Sequence, residues 1–234
     1  AFHALGRQYV HYLLRRQFER QRPPQVHGSE LMYRFTLGEL IEARAQRVLD
    51  VGCGMTAWPA LLSNCGYHVT ATDQMGMYWG GQYFNHHYHV IRDDITRTGM
   101  TGTFDAVMFL SALQHVADHE AAVAALAALV APGGLLVLAV PYNETRYVED
   151  VYRLPGAGYG QDMPYGCHIF SRAEVDAWCR RHNLMLRAQE YYRVFDGELW
   201  TFGEWVNPPR KVGPGELSQF SAMSFVRGDV PTSS

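Results

Sequence analysis

The chain has 234 residues, 47% of them hydrophobic, which is enough for one well-packed core. With 18% charged residues and a formal net charge of -3, it carries no charge excess that would direct it to nucleic acid or to an anionic membrane surface. No apolar run approaches the roughly 18–20 residues that cross a bilayer, no secretory leader is legible, and Cys53, Cys65, Cys167 and Cys179 are scattered without a C-x-x-C pair, a usage that reads as reduced thiols in a cytoplasmic protein.

Leu5, Tyr9, Val10, Leu13, Leu14 and Phe18 recur at helical spacing over residues 4–21, and Pro23 and Pro24 stop that helix. A second helix follows Ser29, with Leu31, Met32, Phe35, Leu40 and Ile41 as its apolar face. The pattern then changes. Buried strands are predicted over residues 47–52, 68–73, 89–94, 104–111 and 135–140, with helices over 57–64 and 119–130 between them. Val123, Leu126, Ala127 and Val130 line one face of the Ala-rich helix, and Pro132-Gly133-Gly134 stops it. In the tail, Ser171 and Glu174 form a capping box, and Phe170 with Val175 a hydrophobic staple, at the head of a helix running to His182. Arg180 and Arg181 fall in its last turn, where the helix dipole favours cations. Two further strands are expected near residues 185–194 and 220–226.

Strands alternating with helices imply an α/β fold, a mainly parallel sheet covered on both faces. We read residues 1–234 as one domain: a helical cap over 1–44, a core over 45–142, and two long connections, 143–169 and 196–219, expected on the substrate side. Both connections are rich in Gly, Pro and aromatics, and ordered loops of that length are commonly binding loops.

The strongest local motif is the turn Asp50-Val51-Gly52-Cys53-Gly54, directly after a strand and before a helix. Glycines there let the chain bend sharply and let a ligand touch the main chain. Such a turn serves nicotinamide and flavin cofactors equally well. Asp73 stands 21 residues beyond Gly52, at the end of the next strand, where a carboxylate accepts both hydroxyls of a ribose; Gln74 follows it. Asp94 ends the third strand after a further 21 residues, placed to accept from an adenine amino group. Each aspartate alone is equally a cap, but three in register at consecutive strand ends point to a ligand at the carboxyl edge of the sheet.

VLDVGCG (48–54), VTATD (69–73), DDIT (93–96), FDAVMFLSALQHV (104–116) and APGGLLVLAVP (131–141) together resemble the successive motifs of class I S-adenosylmethionine methyltransferases. The resemblance implies a Rossmann-like seven-stranded sheet of order 3-2-1-4-5-7-6 with the last strand antiparallel. It implies S-adenosyl-L-methionine as cofactor and S-adenosyl-L-homocysteine as product. By the same resemblance Gly52 and Gly54 approach the methionine part, Asp50 orients the turn or reaches the amino group, Asp73 holds the ribose, and Cys53 and Gln74 belong to the cofactor-binding set. Asp94 and Ile95 read the adenine, and Phe109 and Leu110 close over the methionine moiety. The third glycine common in the family's first motif is Thr56 here. Gly-Cys-Gly-Met-Thr-Ala also meets a dinucleotide-binding turn through Ala57; the Pro-Gly-Gly segment and Leu113-Gln114-His115-Val116 decide against a dehydrogenase.

Methyl transfer from a sulfonium needs alignment, and a base where the acceptor is a hydroxyl or protonated amine. His115, after the fourth strand, is the first candidate, with a buried structural histidine as the plainer alternative. His168 in the first insert and Glu144 after the fifth strand are the others, set against a loop histidine and a solvated carboxylate. His86, His87 and His89 lack a completing ligand set, so no metal is expected. Tyr147, Tyr152, Tyr159 and Tyr165 are expected as substrate contacts of a lid. The leading reading is methyl transfer to an O or N atom of a small-molecule substrate, without a nucleic-acid or membrane partner. The alternatives are a non-methylating S-adenosylmethionine-binding protein of the same fold and a protein methyltransferase.

Overall fold

Residues 28–54, 56–74 and 90–229 are described by a computed structural model. The helix expected over residues 4–21, the aromatic residues Tyr78, Trp79, Tyr83 and Phe84, and His86, His87 and His89 lie outside the described residues.

The elements follow in chain order as α1 (Gly28–Glu42), β1 (Arg47–Val51), α2 (Trp58–Asn64), β2 (His68–Asp73), β3 (Val90–Arg92), β4 (Phe104–Leu110), α3 (His119–Leu129), β5 (Val130–Pro141), α4 (Arg172–His182), β6 (Leu184–Phe195), β7 (Trp205–Val212) and β8 (Phe220–Arg227). Short 3-10 turns stand at Ile95–Arg97, Leu113–His115 and Val151–Arg153. Among the described residues the strands form one eight-stranded sheet of order β3-β2-β1-β4-β5-β8-β6-β7. β1 to β5 run parallel, β8 is antiparallel to β5, and β6 and β7 continue antiparallel.

Period-two alternation divides the sheet into two cores. On β4, Val107 and Phe109 face one side, with Leu49, Val51, Leu136, Leu138 and Val140, under α3 and α4. Ala106, Met108 and Leu110 face the other, with Val48, Val137 and Ala139, under α1 and α2. Helix α4 begins as its sequence dictates: Ser171 and Glu174 form the capping box, and Phe170 and Val175 are both fully buried in one apolar cluster. Among the described residues no helix is long and apolar enough to cross a membrane.

Three expectations are corrected. The sheet has eight strands, because the second insert contributes β7, which pairs with β6 alone at the edge; without it the order is the expected one. Ile41 does not belong to the apolar face of α1. It is 62% exposed, while Thr36 and Glu39 turn inward with Met32, Phe35 and Leu40. Helix α3 ends at Leu129, ahead of the Pro-Gly-Gly segment, and Val130 already pairs with Phe104 before the register shifts.

Candidate functional site

The order β2-β1-β4 places a topological switch at the carboxyl ends of β1 and β4, where crossovers leave in opposite directions and the loops part into a crevice. The glycine turn sits on one side of it. Gly52 (φ 62) and Gly54 (φ 56) both adopt left-handed backbone. A β-carbon on Gly52 would lie 2.6 Å from the Phe109 ring and 3.1 Å from the Ala112 β-carbon, so the turn is pressed against the loop that follows β4. The turn is pinned from β2: the Cys53 N–H donates to the Thr72 carbonyl (3.1 Å), and the Gly54 N–H to Asp73 Oδ2 (3.0 Å). Cys53 is buried, and burial holds its thiol far above the usual range.

Asp50 is 2% exposed, and its Oδ2 has no hydrogen-bond partner among the described residues. Burial, reinforced by the neighbouring Asp73 carboxylate, pushes its pKa up to about 8. An unpartnered buried carboxyl at this point is suited to a ligand that brings a cationic donor. At the end of β3, Asp94 caps the 3-10 turn, with Oδ1 accepting from the Thr96 N–H (3.0 Å) and hydroxyl (2.7 Å). Arg97 lies 3.5 Å from Oδ2. The Thr96 hydroxyl above all, with the Thr96 N–H, Gln74 and Arg97, holds the Asp94 carboxyl below its ordinary value. Gln74 thus meets Asp94 across the ends of β2 and β3, with Ile95 buried behind them.

The loop after β4 is strained and densely bonded. Ser111 has a left-handed backbone (φ 55), uncommon for a residue with a side chain. Its hydroxyl accepts from Gln114 Nε2 (3.1 Å), while Gln114, 2% exposed, leaves Oε1 unpartnered among the described residues. His115 Nδ1 lies 2.9 Å from the Gly166 carbonyl oxygen. A carbonyl only accepts, so Nδ1 carries the proton and Nε2 presents a lone pair. Burial lowers the His115 pKa, partly offset by the Gly166 carbonyl and by Asp150.

The other two base candidates are each engaged in contacts of their own. Glu144 accepts from the Tyr142 hydroxyl (2.7 Å) and from Arg172 Nε (3.1 Å). Burial would raise its pKa, but the Arg172 and Tyr142 hydrogen bonds outweigh it, and the net shift is downward. Arg172 also donates to Gln189 (2.8 Å) and Tyr191 (2.9 Å), so Glu144 belongs to a network joining α4 and β6. His168 is 8% exposed, with the Tyr147 hydroxyl 3.0 Å from Nδ1 and the Val116 main chain on its ring. His119 meets it edge-on at 5.0 Å and Phe170 at 5.8 Å. Burial, then His119, lowers its pKa.

These features set a carboxyl-edge crevice, a glycine turn and three strand-end aspartates in one place. Residues 6–189 match the methyltransferase domain family. The chain belongs to that family. It is 31% identical over 160 residues to a ubiquinone biosynthesis O-methyltransferase of Xanthomonas axonopodis pv. citri (strain 306), a match covering 62% of this chain and 65% of that protein. The chain therefore spans just under two thirds of that relative's length. Among solved structures it is similar to an S-adenosylmethionine-dependent methyltransferase from Clostridium acetobutylicum (TM-score 0.56, 10% identity, 96% of this chain and 100% of that one). It is likewise similar to the magnesium protoporphyrin IX methyltransferase of Synechocystis with bound SAM (TM-score 0.52, 15% identity, 96% of each chain). Both share its class I methyltransferase fold.

Several contacts around this crevice escape sequence reading. Tyr33 of α1 stacks on Trp58 (centroids 4.4 Å apart, 9° between planes) and shares a hydrogen bond with the Thr56 side chain, bringing α1 over the glycine turn. Ion pairs fasten that helix to the sheet, Arg34 to Glu190 (2.7 Å) and Arg187 to Glu39 (3.1 Å). The two inserts meet through the Ala157–Phe202 bridge and a Gly158 N–H donated to the Thr201 carbonyl (2.8 Å). Between them Tyr159 stacks with Trp205 (6.2 Å, 6°), and Phe195 and Trp200 adjoin. The contacts of Tyr33, Arg34, Arg187 and Tyr159 join segments far apart in the chain.

Proposed function

We propose that this chain transfers a methyl group from S-adenosylmethionine to an oxygen or nitrogen of a small planar molecule, in the cytoplasm and without a nucleic-acid or membrane partner. The single observation that carries the reading is the buried carboxyl of Asp50 beside the left-handed Gly52 and the Asp73-bound Gly54. That set suits the ammonium and ribose of the donor. Gly52 gives the methionine part access to the main chain, Asp50 takes the ammonium, and Asp73 with Gln74 takes the ribose. Asp94 and Ile95 meet the adenine, and Phe109 and Leu110 wall the methionine end. When bound, the donor supplies a sulfonium-activated methyl group.

His115 is the base: its Nε2 lone pair accepts the proton of an acceptor hydroxyl as the methyl group moves, or that of an ammonium before it moves, while Nδ1–H stays on Gly166. We assign Glu144 to the Arg172 network and His168 to the aromatic packing beneath the insert, not to proton transfer. Tyr159, Trp205 and Trp200 form the acceptor wall. An oxygen acceptor is favoured by the relatives, which are named as O-methyltransferases. The four thiols, all unpaired, support a reducing compartment.

The test is label transfer from methyl-labelled S-adenosylmethionine to a panel of catechols, phenols and aromatic amines. The reading expects label in a small product and S-adenosylhomocysteine in equal amount. Label in macromolecules alone would point instead to a protein acceptor.

A further inference from the structure

The peptide bond joining Gly166 to Cys167 is held at both ends. Its carbonyl oxygen accepts the Nδ1–H of His115 at 2.9 Å, and its N–H donates to Asp150 Oδ1 at 3.2 Å. A carboxylate and an imidazole therefore share one planar amide. The carboxylate is fixed in turn, since Oδ1 also accepts from the Tyr152 N–H (3.0 Å) at the head of the 3-10 turn. It lies close against the shared peptide: a β-carbon on Gly166 would stand 3.0 Å from Asp150 Oδ2. The relay joins the insert to the loop after β4 across 51 residues of sequence.

We propose that Asp150 is a positioning residue for His115, acting through the Gly166–Cys167 peptide to fix the tautomer and raise the proton affinity of Nε2. It rests on the reading of His115 as the base. Hydrogen bonds on the two ends of an amide reinforce one another: drawing on the N–H places more negative charge on the carbonyl oxygen. That oxygen then holds Nδ1–H more firmly. Once Nε2 has taken a proton, the imidazolium bond to it is charge-assisted and stronger still. Asp150 thus works against burial, which lowers the His115 pKa.

Among the described residues, two tyrosines and a glutamine also face the ring, and an arginine faces the carboxylate. Tyr165 packs edge-on at 4.7 Å, and Tyr152 lies tilted at 6.1 Å. Burial drives the Tyr152 hydroxyl well above its ordinary range, so it brings no charge at neutral pH. Gln114 is neutral and places Nε2 3.5 Å from His115 Nε2. Arg153 Nε, 3.6 Å from Asp150 Oδ2, offsets part of the carboxylate's charge, but its side chain is half exposed and screened by solvent.

The experiment is a pH titration of the histidine ring nitrogens by nitrogen-15 NMR, with the His115 signals identified by their loss in His115→Gln. Asp150→Asn keeps an oxygen to accept both N–H groups and removes the charge. Asp150→Ser is a second neutral cap should the first fail to fold. The expected result is an Nδ1-protonated His115 in the wild type and a fall of about half to one pH unit in its pKa in either folded variant. An unchanged His115 pKa in a folded variant, or a wild-type ring protonated on Nε2, overturns the proposal. The titration needs no methyl acceptor, so its failure is distinct from failure of the base assignment, which is read from turnover of His115→Gln.

Discussion

Gly52 and Phe109 are so closely apposed that one added β-carbon at Gly52 would stand 2.6 Å from the Phe109 ring. The contact joins the end of β1 to the end of β4, the two strands that flank the crevice. Gly52→Ala therefore meets both a clash and a left-handed backbone (φ 62), the latter alone costing about 1–2 kcal/mol. We expect a lowered Tm and loss of the further stabilisation given by S-adenosylhomocysteine, read from melts with and without the ligand. A variant that melts and responds like the wild type contradicts the placement of the turn.

Asp50 makes the protein's stability depend on pH in a stated direction. The folded carboxyl ionises near 8, against about 3.9 in an unfolded chain. Between those values the folded state holds the proton more tightly, so ionisation opposes folding. The cost is absent below pH 4 and grows as pH rises to 8. Wild type should lose Tm relative to Asp50→Asn over that window, with the two converging toward pH 4. Parallel curves would refute it.

We expect Glu144 and His115 to separate by role. Glu144→Gln breaks a half-exposed ion pair with Arg172, worth about 1 kcal/mol or less, and should leave turnover within about twofold. His115→Gln should lower kcat by about 100-fold or more. Equal losses in kcat would return Glu144 to the proton path.

The stacked pair Tyr159 and Trp205 gives a fourth test. Removing the ring in Trp205→Ala should raise the acceptor KM several-fold, since stacking of this kind contributes about 0.5–1.5 kcal/mol. The affinity for S-adenosylhomocysteine, measured by calorimetry, should stay the same. A loss of cofactor affinity with unchanged KM would remove the pair from the acceptor wall.

The central sheet was readable because parallel strands buried on both faces are continuous apolar runs such as Ala106–Leu110 and Leu135–Val140. The capping box at Ser171 was readable because all its partners lie within one turn. Strand β7 was not: Trp205–Val212 contains Pro208 and Pro209, which lack the N–H a ladder needs and mark an edge position. The pairing with β6 jumps from Arg193–Arg210 to Phe195–Trp205, stepping over both prolines. Glu144 stood between a base and a solvated carboxylate because Arg172 lies 28 residues away, and Ile41 read as core on spacing alone, whereas α1 turns inward Thr36, bonded to the Met32 carbonyl, and Glu39, paired with Arg187 of β6. Glu39 takes the Ser224 hydroxyl at 2.6 Å, a contact no spacing rule foretells.

The measurement that bears most directly on the account is a calorimetric titration with S-adenosylmethionine and S-adenosylhomocysteine, on wild type and Asp73→Ala. We expect both ligands to bind the wild type and affinity to fall at least about tenfold in the variant, the loss of a hydrogen bond to a charged group. A folded wild-type protein that binds neither ligand would contradict the cofactor site, and with it the methyl-transfer reading.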